Sequence, residues 1–362
     1  MLSFVGQLEK CSMGCYRMIR MAKSDINISL SDTPDRAIRV GFLLIPGFAL
    51  MSYASVVEPL RAANVLTGRT LYKWRHISIR GPDIAASNDV RIQADVSIAR
   101  AGRFDVIFVC AGGNPQTFDH PPTFAFLRQA ARHGVKLGGV SAGPYLLAKA
   151  GVLEGYRCTV HWEHVPAFTE TFPFLRLSRS LFEIDRDRFT CAGGIAALDM
   201  MHALIRTDHG AALAAAVSDW FLQTEVRRGE VAQRLSPTER FGVHHPKLID
   251  TLLRMERRIE VPLSPRELAQ FVGLSVRQLE RLFAQHLGAT INRRYLHMRL
   301  EHARILLRQT TLPVAEIALA TGFAVSMHFS RCYRQHFGTA PTHERKVDTR
   351  KPRQADGQRR SA

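Results

Sequence analysis

The chain has 362 residues, 46% of them hydrophobic, and carries 49 Lys and Arg against 32 Asp and Glu, a formal net charge of +17. That length allows two or three domains with real cores, and that apolar content excludes a chain disordered throughout. The positive balance is compatible with nucleic acid, with an anionic membrane surface or with neither, and the position of the charge must decide between them.

Six cysteines, Cys11, Cys15, Cys110, Cys158, Cys191 and Cys332, lack disulfide or zinc-finger spacing and read as buried thiols of a reducing compartment. No metal or cofactor site is expected. No apolar run reaches the ~18 residues of a membrane span, and the amino terminus lacks an apolar signal core, so a cytoplasmic chain without a membrane partner is the expectation.

In chain order, residues 1–36 have no periodicity and predict a poorly ordered extension, within which Met18 or Met21 is an alternative start. Arg39 to Ile45 is a short apolar run closed by Pro46-Gly47, the pattern of a buried strand. Helical spacing follows through Val56, Val57, Leu60, Ala63 and Val65. Strand-like segments at Trp74 to Ile79 and Asp105 to Cys110 lead to Ala111-Gly112-Gly113. A helix over 123–133 precedes a strand over 136–141 and a further helix from Ala142. Segments at 157–162, 181–185 and 189–194 come next, then Ala-rich helices over 195–207 and 211–224. Alternating strands and helices predict a parallel sheet with helices on both faces, and such sheets collect ligands at the carboxyl ends of their strands. A polar stretch over 226–246 reads as a linker between a domain over 37–225 and one over 247–345, with a basic disordered tail over 346–362.

The carboxyl-terminal domain contains one pattern twice. Glu267, Ala269, Gly273, Leu274, Ser275 and Val276 recur 49 residues later as Glu316, Ala318, Gly322, Phe323, Ala324 and Val325. Arg281, Phe283, His286 and Gly288 recur 50 later as Arg331, Tyr333, His336 and Gly338, so one residue is inserted in the second copy. Each copy reads as helix, Gly turn and helix, with Pro265 and Pro313 in the first turn and Leu268, Phe271, Val272, Leu274, Leu279, Leu282 and Phe283 closing a small core. That is a helix-turn-helix, whose second helix lies in the DNA major groove. From Thr238 onward the chain holds 22 basic and 11 acidic residues, a surplus of 11, which leaves 6 of the 17 for the longer amino-terminal part. The charge therefore favours double-stranded DNA. Val276, Arg277, Gln278 and Arg281 in the first copy, and Ser326, Met327, His328, Ser330, Arg331 and Arg334 in the second, are the candidate DNA contacts.

Two such motifs joined by a helix over 293–308, with Ala315-Glu316-Ile317-Ala318, Gly322-Phe323 and Phe337-Gly338-Thr339-Ala340-Pro341, resemble the DNA-binding domain of AraC/XylS-type transcription regulators. The amino-terminal part is similar to the class I glutamine amidotransferase-like fold, in its PfpI-like branch. The matching stretches are Pro46-Gly47-Phe48, Glu58-Pro59, Arg61 to Asn64, Ala111-Gly112-Gly113 and Gly138 to Gly143. Leu147 to Leu153 with Thr159-Val160-His161-Trp162 is similar to the GlxA-like subgroup, in which the two domains are fused.

Gly139-Val140-Ser141-Ala142-Gly143 also fits the nucleophile elbow G-x-S-x-G. At the elbow the catalytic members of the resembled fold carry Cys, often followed by His, and a Glu on the helix after the first strand. Here those positions are Ser141, Ala142 and Ser52, so no catalytic residue is assigned and a non-enzyme is expected. The alternative is a hydrolase or amidase using Ser141 with His161 or His164. The retained pocket is expected to bind a small effector through Gly112, Gly113, Ser141, Ala142, Gly143, His161, Trp162 and Glu58, with Trp162 as a wall for a cation. The resemblance implies a transcription activator with RNA polymerase as a partner. It also implies an effector among quaternary amines such as glycine betaine or carnitine, or amino acids such as arginine. Apolar helices over 196–222 offer either a face for a homodimer or part of the core.

Overall fold

The computed structural model describes residues 36–310 and 312–347. The expected extension before Arg36, with Cys11 and Cys15, and the expected tail beyond Val347 lie outside these residues. The chain divides into two compact units. The first comprises the described chain up to Pro115 with Asp119–His161 and Phe174–Gln233; the second comprises the chain from Arg234 with Gln116–Phe118 and Trp162–Pro173.

The first unit runs β1 (Ile38–Leu44), α1 (Leu50–Thr67), β2 (Tyr72–Ser78), β3 (Asp83–Ala85), β4 (Arg91–Gln93), β5 (Val96–Ser97), β6 (Val106–Ala111), α2 (Pro121–Arg132), β7 (Lys136–Ser141), α3 (Gly143–Lys149) and β8 (Arg157–Cys158). After α4 (Val165–Thr171), which clusters with the second unit, come β9 (Arg176–Leu177), β10 (Phe182–Asp185), β11 (Arg188–Cys191), α5 (Ala196–His209) and α6 (Ala211–Trp220). Seven strands form one sheet in the order β10-β11-β7-β6-β1-β2-β5, parallel except for the β10–β11 pair. From Val40 to Leu44, β1 is buried without alternation because both sheet faces are covered. Val56 and Leu60 of α1, Met200 of α5 and Val217 of α6 pack on one face with Phe42 and Phe108. The short β8 pairs only with β9, outside the main sheet. Cys110, Cys158 and Cys191 are buried free thiols, and burial pushes the last two up to about 12; Cys332 is only half-buried.

The second unit continues with α7 (Pro237–Phe241), α8 (Pro246–Arg257), α9 (Pro265–Phe271), α10 (Val276–Leu287), α11 (Ile291–Gln309), α12 (Val314–Ala320), α13 (Ser326–Phe337) and α14 (Pro341–Val347). It has two small cores. Val243, Leu252, Leu268, Leu279 and Phe283 close the first together with Ile291 and Tyr295 from the start of α11. Ile317, Phe323, Phe329 and Tyr333 close the second together with Leu300, Ala303 and Leu307 from the rest of α11. One helix of 19 residues, about 28 Å at 1.5 Å per residue, thus belongs to both cores.

Two details depart from expectation. Phe271 is 52% exposed rather than core, its ring covered by the Arg254 guanidinium at 5.0 Å. Pro313 is the N-cap of α12 rather than a residue of its first turn.

Candidate sensor turn and nucleic-acid interface

Ser141 ends β7 at φ +60°, a left-handed conformation that costs a non-glycine residue about 1–2 kcal/mol. The sharp strand-to-helix turn expected from G-x-S-x-G is therefore present. Gly143 follows with its Cα so close to β6 that a Cβ would stand 2.1 Å from the Val109 carbonyl oxygen. The glycine lets α3 start hard against the sheet.

Ser52, from the first turn of α1, lies beside this turn, and its buried Oγ accepts a hydrogen bond from the Gly194 N–H at 2.7 Å, across 142 residues of sequence. Gly193, at φ +96°, fills the space between the two serines. A Cβ there would lie 2.8 Å from Ser141 Cβ and 2.8 Å from Ser52 Oγ, so no larger residue fits. Sequence reasoning gives no role to this Gly193-Gly194 pair. The signal is nonetheless there, since the pair closes β11 as Gly112-Gly113 closes β6.

Among the described residues Ser141 Oγ makes no hydrogen bond to a histidine or carboxylate. The Ala142 N–H is directed at the Ala111 carbonyl oxygen at 3.3 Å, and the Gly194 N–H is committed to Ser52. Gly112 packs on the loop after β1, where a Cβ would come within 2.6 Å of the Gly47 oxygen; Gly113 takes φ +60° beside it. These two glycines close the crevice between β1 and β6, where the strand order reverses.

The remaining expected ligand residues have other settings. Glu58 pairs with Arg61 one turn along α1 at 2.6 Å, with both side chains about two-fifths exposed, as a helix-surface ion pair. His161 ends a segment of the first unit, whereas Trp162 groups with the second. The Arg234 guanidinium stacks 4.6 Å over the Trp162 ring, on the aromatic surface expected for a ligand cation.

In the second unit, Gly273 at φ +63° and Gly322 at φ +77° turn the chain between the paired helices. The second helices begin at Val276 and Ser326, 50 residues apart, so the inserted residue lengthens the second turn. Val276, Arg277, Gln278 and Arg281 are exposed on α10. Gln278 also holds the start of its own helix. Its Oε1 accepts from the Ser275 N–H and hydroxyl, both at 2.9 Å, forming a capping box with Ser275. Met327, His328, Arg331 and Arg334 are exposed on α13, while Ser326 and Ser330 are half-buried. His328 also packs edge-on against Phe323.

Residues 39–206 match the family model described as DJ-1/PfpI family, and residues 268–346 match that of a helix-turn-helix domain. The chain is 44% identical over 306 residues to the HTH-type transcriptional regulator GbdR of Pseudomonas aeruginosa, covering 84% of this chain and 83% of that one. To the HTH-type transcriptional regulator GlxA of Rhizobium meliloti it is 43% identical over 304 residues, covering 84% and 94%. A crystal structure of a THiJ/PfpI family protein from Pseudomonas syringae superposes at a TM-score of 0.50 with 16% identity, over 64% of this chain and 92% of that one, a likeness of fold. Described residues include no helix long and apolar enough to cross a membrane. With paired recognition helices behind a DJ-1/PfpI-type domain, the chain belongs to the AraC-type, DNA-binding transcription regulators that carry such a domain at their amino-terminal end.

Proposed function

We propose that the chain is a cytoplasmic, ligand-responsive transcription activator whose domain over 37–225 senses a small metabolite at the Ser141 turn. The stretch over 226–246, which gives Arg227 to the first unit and Val243 to a core of the second, leads from it to a DNA-binding domain over 247–345. The observation that carries the sensor reading is Ser141 itself. Backbone strain of this kind persists where surrounding structure enforces it and clusters at ligand sites, and the Ser141 hydroxyl remains available to a ligand. Catalysis is disfavoured because a serine hydroxyl is a weak nucleophile without a base, and none bonds to it among the described residues. The hydrolase reading retains only the elbow.

The effector classes implied by the sequence resemblance, quaternary amines and amino acids, are the first candidates. The Arg234 guanidinium already takes up one face of the Trp162 ring, and an effector shifts a regulator only through contacts that differ between its two states. RNA polymerase is the partner of an activator; the apolar residues of α5 and α6 that suggest a homodimer face are used in the core of the first unit. The test is transcription from a bound promoter in the presence of glycine betaine, carnitine or arginine, comparing the wild type with Ser141→Gly. Activation that none of the three changes, or that Ser141→Gly leaves intact, overturns the sensor reading.

A further inference from the structure

At the opposite end of the sheet from Ser141, beneath the amino ends of β1, β2, β6, β7 and β11, lies a cavity of about 200 Å³. Its apolar floor is made by Leu60 of α1, Phe108 of β6, Phe189 of β11 and Met201 with Leu204 of α5. Engineered apolar cavities of about 150 Å³ already admit benzene, so this one has room for a phenyl or branched alkyl group.

Four charged side chains border it, and two of them are satisfied by each other. Asp105 holds Arg36 through paired bonds at 3.0 Å and binds Arg39 as well. The other two, Asp208 and Lys136, are close enough for Lys136 to act on the Asp208 carboxyl, yet they form no ion pair with each other. Asp208 has a single hydrogen bond among the described residues, from the Tyr72 hydroxyl at 3.3 Å. Burial raises its pKa. Lys136 and His209 act against that rise, and burial lowers the pKa of the His209 ring. Lys136 makes no ion pair among the described residues. An acceptor with one hydrogen bond and an exposed cation thus face one cavity mouth without pairing with each other.

We propose that this cavity is a second ligand site, separate from the Ser141 turn, and that it takes an α-amino acid with an apolar side chain. The ligand ammonium lies on Asp208 and its carboxylate on Lys136, and its side chain covers Phe108, Phe189 and Met201. A zwitterion suits the site because it bridges two opposite charges that do not reach each other. A ligand with only one charge leaves the other side chain as it was, and glycine leaves the floor bare.

The test is titration calorimetry on the full chain with L-leucine and L-phenylalanine, against glycine, isoamylamine and 4-methylpentanoate, which lack the apolar body, the carboxylate and the ammonium respectively. The expected result is saturable binding of leucine or phenylalanine at one site per chain, with each control weaker by about tenfold or more, the worth of one charge-assisted hydrogen bond. Asp208→Asn and Lys136→Gln each weaken binding similarly. Lys136 is exposed, so its variant carries the test even where Asp208→Asn perturbs folding. Absence of saturable binding by both amino acids, binding that Lys136→Gln leaves unchanged, or equal binding of the controls overturns the proposal. Binding of the same protein to promoter DNA without any amino acid tests the regulator reading separately.

Discussion

Arg299, in the helix shared by both cores of the second unit, donates from Nη2 to the Gly322 carbonyl oxygen at 2.6 Å and from Nε to that of Thr321 at 2.7 Å. Its guanidinium also stacks 4.1 Å over Phe323. One side chain thus clasps the left-handed turn of the second helix-turn-helix, which lacks the side-chain caps of the first: Ser264 and Ser275 cap α9 and α10, whereas Pro313 and Val325 precede α12 and α13. Replacing Arg299 with Ala is expected to cost about 1.5–3 kcal/mol, the value of hydrogen bonds to a charged group. Lys should recover little of it, because an ammonium cannot reproduce the planar fork. Urea unfolding of the two variants measures this directly; a fully restored Arg299→Lys would refute the clasp.

The first unit depends on a buried ion pair. Asp199, fully buried in α5, accepts from Arg227 Nε at 3.0 Å and Nη2 at 2.6 Å, from the Arg227 N–H at 2.9 Å and from Gln223 at 2.7 Å. Asp199→Ala removes the acceptor of these bonds while the Arg227 side chain keeps 29% of its surface in solvent, and is expected to lower stability by about 1.5–3 kcal/mol. Thermal unfolding followed by near-ultraviolet dichroism reports it.

Glu344 of α14 binds Arg304 and Arg308 of α11. Burial pushes its pKa up, but the two guanidinium groups outweigh that, and the net shift is downward from 4.5. A carboxyl with a depressed folded-state pKa contributes stability that is complete above its unfolded value and is lost as pH falls through the folded one. The second unit should therefore lose stability progressively below about pH 4.5, and the loss should be smaller in Glu344→Gln. Melting temperatures across that pH range distinguish the two.

On the DNA side, Arg277, Arg281, Arg331 and Arg334 separate into readers and anchors by salt dependence. Removing a phosphate contact should reduce the slope of log affinity against log salt by about 1, whereas removing a base contact should cost about 1–3 kcal/mol at one position of the site. Gln278→Ala is expected to act differently, because Gln278 completes the Ser275 capping box: stability falls by about 1 kcal/mol in the absence of DNA. Fluorescence anisotropy at several salt concentrations, with melting of the free protein, covers all five variants.

Ser141→Gly should stabilise the first unit by about 1 kcal/mol by removing left-handed strain while abolishing the effector response. A variant that melts higher yet still responds would sever strain from sensing.

Much of the architecture is legible in the sequence because it is periodic. The repeat with its paired glycines specifies two helix-turn-helix motifs, and the alternation of apolar runs with helical spacing specifies a parallel sheet with helices on both faces. What escapes is pairing over long separations. Nothing local marks Ser52 as the partner of Gly194, or Asp199 as the counterion of Arg227. Trp162 and Arg234 are likewise too far apart in the chain for spacing to connect them. Phe271 misleads because an apolar residue at helical spacing looks like core even where an arginine covers it on the surface. Gln278 suggests a base-binding amide, although Ser-x-x-Gln at a helix start is also the signature of a capping box.

The rigid α11 sets a phase as well as a scaffold. Because its two ends are embedded in different cores, the two recognition helices cannot drift relative to each other without breaking one of those cores. A target whose two contacted segments are moved apart by about five base pairs, half a turn of the duplex, would turn one segment to the far side. Such an insertion should abolish binding more completely than any single base change, and a ten-base-pair insertion should not rescue it, because the helix acts as a ruler of one length.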